Sequence, residues 1–389
     1  IINTWKEFAA EGEKHKINLV LDPTKVQTKK SLLNYLIPQT QKKLKVVFLY
    51  PREPKTSAWL YSHELGRMYL DETFSDKLET EYVAGVDENN VEQVLEDIIK
   101  AGADIIFCVG PQMMPNSLKV AVEHPEVYIL NCSLNAPHPY IRTYYGRMYE
   151  AKFLAGMIAG AVTDNERVAY IADYPIYGMI ANINAFALGV ASVNPRAKVY
   201  LAWSKTKDYD RNKFLTENDL HYVSDQDIIT PNDASRYFGL YKLQDGQALN
   251  LAMPIWNWGV FYEKLLQSVL AGSYKVEGQE QVKALNYWWG MSAGVIDLIC
   301  SKHVPYGVKR LADHLKSDIT KGEVVPFFGQ IYNQKGELKN KGEHEMKPSD
   351  IMKMDWLVDN VVGSIPPMSE FVDNAKMVVE LKGVEGNKL

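Results

Sequence analysis

RVAYIADYPIYGMIANINAFALGVASVNPRAKV, residues 167–199, decides the fold. Val168 to Ile171 form a short apolar run, the pattern of a strand buried on both faces of a parallel sheet. Pro175 and Gly178 break the run. Ile180, Ile183, Ala187, Leu188 and Val190 then recur near helical spacing. Asn194-Pro195 ends the helix, because a residue before proline disfavours the α region. A new strand starts at Lys198 and runs to Trp203. The stretch is one βαβ unit.

The same alternation extends in both directions. Toward the N-terminus, strands are expected at KVVFLY (45–50), EYVAGV (81–86), DIIFCV (104–109) and VYILNC (127–132). Helices are expected between them at 57–72, 91–103 and 116–125, with Ser57 placed as an N-cap. A helix rich in small residues, RMYEAKFLAGMIAGAVT (147–163), should pack tightly against a sheet. Beyond residue 199, strands are expected at LHYVS (220–224) and FGLYK (238–242), followed by helices at 258–272, at about 305–321 and near 368–381. Residues 324–336 read as a strand pair. Strands separated by helical segments of this length imply parallel sheets with right-handed crossovers. Residues 1–44 carry many lysines and no alternation, and read as an N-terminal extension or linker.

Composition bounds the function. The 389 residues are 46% hydrophobic and 23% charged, with a net charge of −5. That is globular composition, with no general attraction to nucleic acid. No apolar run approaches the roughly 20 residues that cross a bilayer. The three cysteines have no paired spacing, and Cys108 and Cys132 sit in apolar runs as core thiols. There is no phosphate-binding GxxxxGK[ST] loop, no GxGxxG and no HExxH helix. His63-Glu64 starts like a zinc motif, but Arg67 stands where the second histidine would be. No metal or cofactor is expected, and the familiar hydrolase, kinase and zinc-enzyme classes are disfavoured.

Several motifs occur in an order that resembles the basic membrane protein family of ABC-transporter solute-binding proteins, the purine-nucleoside receptor type. They are SAWLYSHELGR (57–67), YYGRMYEAKFLAGMIAG (144–160), PIYGMIANINAFALGVASVNPRAKV (175–199), WNWGVFY (256–262), WWGMSAGVIDL (288–298) and VPFFGQI (325–331). The resemblance covers about residues 45–385. It implies an α/β type I periplasmic-binding fold, with two Rossmann-like lobes of parallel sheet joined by a hinge and a ligand cleft between them. Lobe 1 is expected at 45–163, completed by about 288–322. Lobe 2 is expected at 164–287, completed by parts of 323–389. The resemblance further implies an ABC permease as partner and a bacterial lipoprotein location outside the membrane.

Ligands of open α/β sheets bind beyond the carboxyl ends of the strands. The first such loop leads into Trp59, whose indole offers a broad face for a flat base. Tyr61 and His63 follow one turn on and could bond a base edge. Gln112 follows the third strand and can present both a donor and an acceptor to a purine. Tyr144 and Tyr145 close the first alternating set, with Tyr145 the candidate to line the site. In the second set the candidates are Tyr177, Trp203 and Trp256. Asp227 matches a family aspartate, and its carboxylate would accept from a ribose hydroxyl or an exocyclic amine; Asp225 competes for that role. Two departures leave the ligand's identity open. Pro115 stands where the family often has an acid, and the first loop lacks the family's Gly/Asp pattern.

Three readings follow. The leading one is a non-catalytic protein that captures a purine base or nucleoside for a transporter. The second is a ligand-sensing domain of a larger cytoplasmic regulator, because residues 1–44 resemble a linker more than the short tether that follows a lipid-modified cysteine, and the chain shows no such cysteine. The third is an enzyme acting on a nucleoside.

Overall fold

The computed structural model describes residues 43–134, 138–227, 235–272 and 285–382, together with the backbone of 18–20. The chain divides into two units. The first comprises Ile1–Gly146, Asn257–Trp289 and Ala293–Val295; the second comprises Arg147–Trp256, Gly290–Ser292 and Ile296–Leu389.

Unit 1 is built on seven parallel strands. In chain order they are β1 (Asn18–Val20), β2 (Leu44–Tyr50), β3 (Leu78–Ala84), β4 (Ile105–Cys108), β5 (Tyr128–Cys132), β6 (Ile141–Gly146) and, much later, β12 (Leu285–Trp289). Their order across the sheet is β1-β12-β6-β5-β4-β2-β3. The helices of this unit are α1 (Ala58–Thr73), α2 (Val91–Lys100), α3 (Met114–Glu123) and α7 (Trp258–Leu270). Alternate residues of β2 serve opposite faces, as strand geometry requires. Val47 and Leu49 join Leu95, Ile106, Leu118 and Ile129 in an aliphatic core. Phe48 faces Phe107 and Tyr262 in an aromatic one, with ring centroids 4.9 Å away in each case.

Unit 2 carries β7 (Arg167–Ala172), β8 (Lys198–Trp203), β9 (Tyr222–Ser224), β10 (Leu240–Gln244), β11 (Gln247–Trp256), β13 (Ile296–Cys300) and β16 (Val361–Val362), ordered β13-β11-β10-β9-β7-β8-β16. A separate pair, β14 (Gln330–Tyr332) and β15 (Leu338–Lys341), forms the hairpin expected within 324–336 only in its first strand; the second lies further along. The helices are α4 (Tyr149–Val162), α5 (Met179–Val193), α6 (Arg211–Glu217), α8 (Tyr306–Lys321), α9 (Pro348–Met352) and α10 (Asp373–Lys382). The stretch 167–199 folds as β7-α5-β8, and the two strands pair in parallel from Arg167 opposite Lys198 to Ala172 opposite Trp203.

Four expectations are corrected. Residues 18–20 are not linker: they add a strand beside β12, pairing from Asn18 opposite Leu285 to Val20 opposite Tyr287. The remainder of 1–42 lies outside the described residues. The second sheet is mixed, because β10 runs antiparallel to both β9 and β11. The cause is the turn Asp245-Gly246, where both residues have positive φ, 51° and 75°. That pairing of angles is what a two-residue hairpin needs, and Asp-Gly is a favoured sequence for it. The lobe boundaries also move. Helix α4 belongs to unit 2, whereas α7 and β12 belong to unit 1. Finally, the small residues of α4 serve a helix. A Cβ on Gly156 would stand 2.0 Å from the Phe186 carbonyl oxygen, and one on Gly189 would stand 2.0 Å from that of Phe153. The backbones of α4 and α5 meet at this crossing.

Candidate ligand-binding site

In unit 1 the carboxyl ends of β2, β4 and β5 lead into the loops that precede α1, α3 and β6. Trp59 lies in the first turn of α1, and Tyr145 is the penultimate residue of β6. Both are half-buried. Their rings are 5.7 Å apart and inclined by 30°. Trp258, in the first turn of α7, meets Trp59 edge-on at 5.6 Å. Two elements distant in sequence therefore hold Trp59 and Tyr145 as a neighbouring aromatic pair at the strand ends.

His63 does not share that exposure. One turn on from Trp59, it is fully buried. Its ring stacks on Trp258 at 4.2 Å. Its Nδ1 is 2.6 Å from the Tyr262 hydroxyl, and its Nε2 is 3.9 Å from the Cys132 sulfur. Tyr262 in turn is 3.2 Å from the Tyr144 hydroxyl. Both ring nitrogens are thus engaged inside the unit, which corrects the expectation that His63 meets a base edge. Burial holds the imidazole well below its ordinary pKa of 6.5, so it is neutral at physiological pH. Burial likewise pushes the Tyr144 and Tyr262 hydroxyls well above theirs.

The sign for stability follows directly. Unfolding returns His63 to an ordinary pKa, so below about pH 6.5 the unfolded chain binds a proton that the folded one does not. The contribution is fully present above that pH and is lost as pH falls, with a slope of up to about 1.4 kcal/mol per pH unit. Urea unfolding at about pH 7.5 and about pH 5.5 should show this loss, and His63→Gln should remove most of the difference while keeping a group that can bond Tyr262.

Tyr61 is half-buried on α1, and Gln112 is half-buried in the single turn Pro111–Met113 after β4. The Gln112 amide lies over Gly110, where a Cβ would stand 2.7 Å from its Nε2. The Gly110 carbonyl accepts from Asn131 Nδ2 at 2.9 Å. The first-set candidates Trp59, Tyr145 and Gln112 therefore share one edge of the sheet.

In unit 2, Tyr177 is half-buried just before α5, and Trp256 is half-buried at the end of β11. Trp203 is 5% exposed, and its Nε1 donates to the Ser364 carbonyl at 2.8 Å. It is a packed core residue, so the expectation of an aromatic wall there is corrected. Asn184, at 0% exposure, satisfies backbone groups: its Nδ2 donates to the Trp356 carbonyl and its Oδ1 accepts from Val358 N–H. The two competing acids are held differently. Asp225 pairs with Arg211 at 2.9 Å and accepts from the Tyr241 hydroxyl at 3.2 Å. Burial raises its pKa against the pull of Arg211. Asp227 pairs instead with Lys152 of α4, Nζ to Oδ1, at 2.5 Å. Burial also raises the pKa of Asp227, opposed by the Lys152 ammonium.

Lys152 and Tyr170 are not among the site residues expected from the sequence. The signal was present: YEAKFLAGMIAGAV places one lysine in a helix that is otherwise nearly all apolar. A cation in such a helix needs a buried partner. Arg211 had no comparable signal, because it lies in a polar stretch.

A solved ABC-transporter solute-binding protein from Conexibacter woesei shares the fold, with a TM-score of 0.56 at 16% identity over 72% of this chain and 98% of that one. A family model described as ABC transporter substrate-binding protein, PnrA-like (Bmp), matches residues 43–237. The chain belongs to this family. Among curated relatives, a purine-binding protein of Brucella abortus is 28% identical over 84% of this chain and 95% of its own length. A Haloferax volcanii protein, provisionally named an ABC transporter glucose-binding protein, is 29% identical over 66% of this chain and 67% of its own length. No helix among the described residues is long and apolar enough to cross a membrane.

Proposed function

We propose that this protein is the non-catalytic receptor of an ABC importer, taking up a purine base or nucleoside on the outer side of the cytoplasmic membrane and passing it to the permease. The observation that carries the reading is the half-buried pair Trp59 and Tyr145 at the carboxyl ends of the unit 1 strands. A flat aromatic base gains area burial there and a stacking contribution of about 0.5–1.5 kcal/mol beyond it. Gln112 on the same edge offers a donor and an acceptor to the base, and Asp227 accepts from a ribose hydroxyl. The likeness to the Brucella purine-binding protein supports the same ligand class.

The likeness to the Haloferax protein favours a second reading, a monosaccharide, which would also rest on an aromatic face. Titration of the parent protein with adenosine and with glucose separates them, and a Trp59→Ala variant tests the stacking. The loss of one buried aromatic contact should weaken adenosine binding by roughly 1.5–3 kcal/mol, about 10- to 100-fold. Trp59→Phe should recover part of it. Equal adenosine affinity in Trp59→Ala and the parent protein would exclude stacking on Trp59.

A further inference from the structure

We propose that Lys152 is the positioning residue of the ligand's polar contact: it fixes the Asp227 carboxylate and cancels its charge, so that the site takes a neutral hydroxyl- or N–H-bearing ligand and not a cation. The inference rests on Asp227 contacting the ligand, as in the function proposed above.

Lys152 is 2% exposed and sits in α4, where every residue from Tyr149 to Gly160 is buried. Its ammonium has two neighbours. One is Asp227 Oδ1 at 2.5 Å, and the other is the ring of Tyr170 in β7, whose centroid is 5.2 Å away. The side chains are unequally placed. That of Lys152 is 3% exposed and that of Asp227 is 17% exposed. The acid thus reaches the surface while the base that holds it does not. Asp227 Oδ1 is occupied by Lys152, and Oδ2 has no partner among the described residues. A carboxylate held by one oxygen and, among the described residues, unpartnered at the other is an acceptor fixed in direction. Burial by itself would lower the Lys152 pKa, but Asp227 and Tyr170 outweigh it and hold the ammonium above its ordinary range. The ammonium thus faces the Asp227 carboxylate as the cation of an ion pair whose charges oppose each other.

Such a pair is costly to bury, and apolar residues of the same volume are often as stable. A purely structural role gives no reason for the acid to emerge at the surface. A ligand role does: with its charge cancelled, Asp227 gains nothing from a cation, and its open oxygen favours a neutral donor.

The test is a double-variant cycle read by calorimetric titration with adenosine on the parent protein, Asp227→Asn, Lys152→Met and the double variant, each checked for folding by thermal unfolding. If Lys152 acts only through Asp227, Asp227→Asn should bind about tenfold more weakly. The double variant should then match it within about twofold, because nothing remains for Lys152 to position. A double variant about tenfold weaker again would overturn the inference, as would an Asp227→Asn variant with parental affinity. Where a single variant does not fold, the double variant removes both charges together and is compared with the parent; unchanged affinity overturns the inference. A parent protein that binds neither adenosine nor adenine overturns the proposed function and this inference with it. Parental binding with an additive cycle overturns this inference alone.

Discussion

Gly189→Ala should destabilise unit 2 by about 3 kcal/mol, seen as a lower urea midpoint with an unchanged slope. The added methyl would stand 2.0 Å from the Phe153 carbonyl oxygen and 2.9 Å from the Met157 backbone nitrogen. Neither atom belongs to a side chain that can rotate away. Relief requires α4 and α5 to separate, and interiors packed at crystal-like density resist such a shift. Gly156→Ala should cost a similar amount, because its methyl would meet the Phe186 carbonyl at the same distance from the other side. The two substitutions act on one crossing, so combining them should cost less than the sum. Near-parental stability in either variant would mean that α4 and α5 do not approach backbone to backbone.

Arg67→Met should destabilise unit 1, again by about 3 kcal/mol. Arg67 grips Glu64 with two nitrogens, Nη2 to Oε1 at 2.6 Å and Nε to Oε2 at 3.0 Å. Its Nη1 donates to Thr80 of β3 at 2.8 Å, and Glu64 accepts from the Tyr50 hydroxyl of β2 at 3.1 Å. One helix is thereby tied to two strands. The Glu64 hydrogen bond raises the Arg67 pKa further. Methionine fills the space of the arginine stem but leaves Glu64, which is 8% exposed, without its cation. Loss of one partner from a buried pair costs far more than loss of both. Arg67→Met with Glu64→Gln should therefore recover much of the stability. Arg67→Lys should recover only part, because an ammonium cannot reproduce the two-pronged grip. A parental midpoint for Arg67→Met would show that the network contributes nothing.

The two sites also show what a single chain discloses. The βαβ unit at 167–199 was legible because its signals are local: an apolar run, two breakers, helical spacing and Asn194-Pro195. The seven parallel strands of unit 1 were legible in part for the same reason. Strand β6 was missed because Arg142 and Thr143 interrupt its apolar pattern, and β1 because three residues carry no period. The hairpin at Asp245-Gly246 was missed although its turn signal was written out. The unit boundaries were not legible. Helix α4 follows β6 directly, yet its glycines answer to Phe186 and Val190 of α5, a relation that no local pattern encodes.

The candidate site divides along the same line. Trp59 and Tyr145 could be placed from their position at strand ends. His63 could not be excluded, because its burial depends on Tyr262 and Trp258, about two hundred residues on. The choice between Asp225 and Asp227 likewise depends on Arg211 and Lys152, partners that only the fold brings near.

The most direct measurement is a calorimetric titration of the full chain with adenosine, adenine and glucose in parallel. The account expects saturable binding of at least one purine, with no heat from glucose at the same concentrations and no chemical change in the recovered ligand. Binding of glucose alone, or conversion of the purine during the titration, would contradict it.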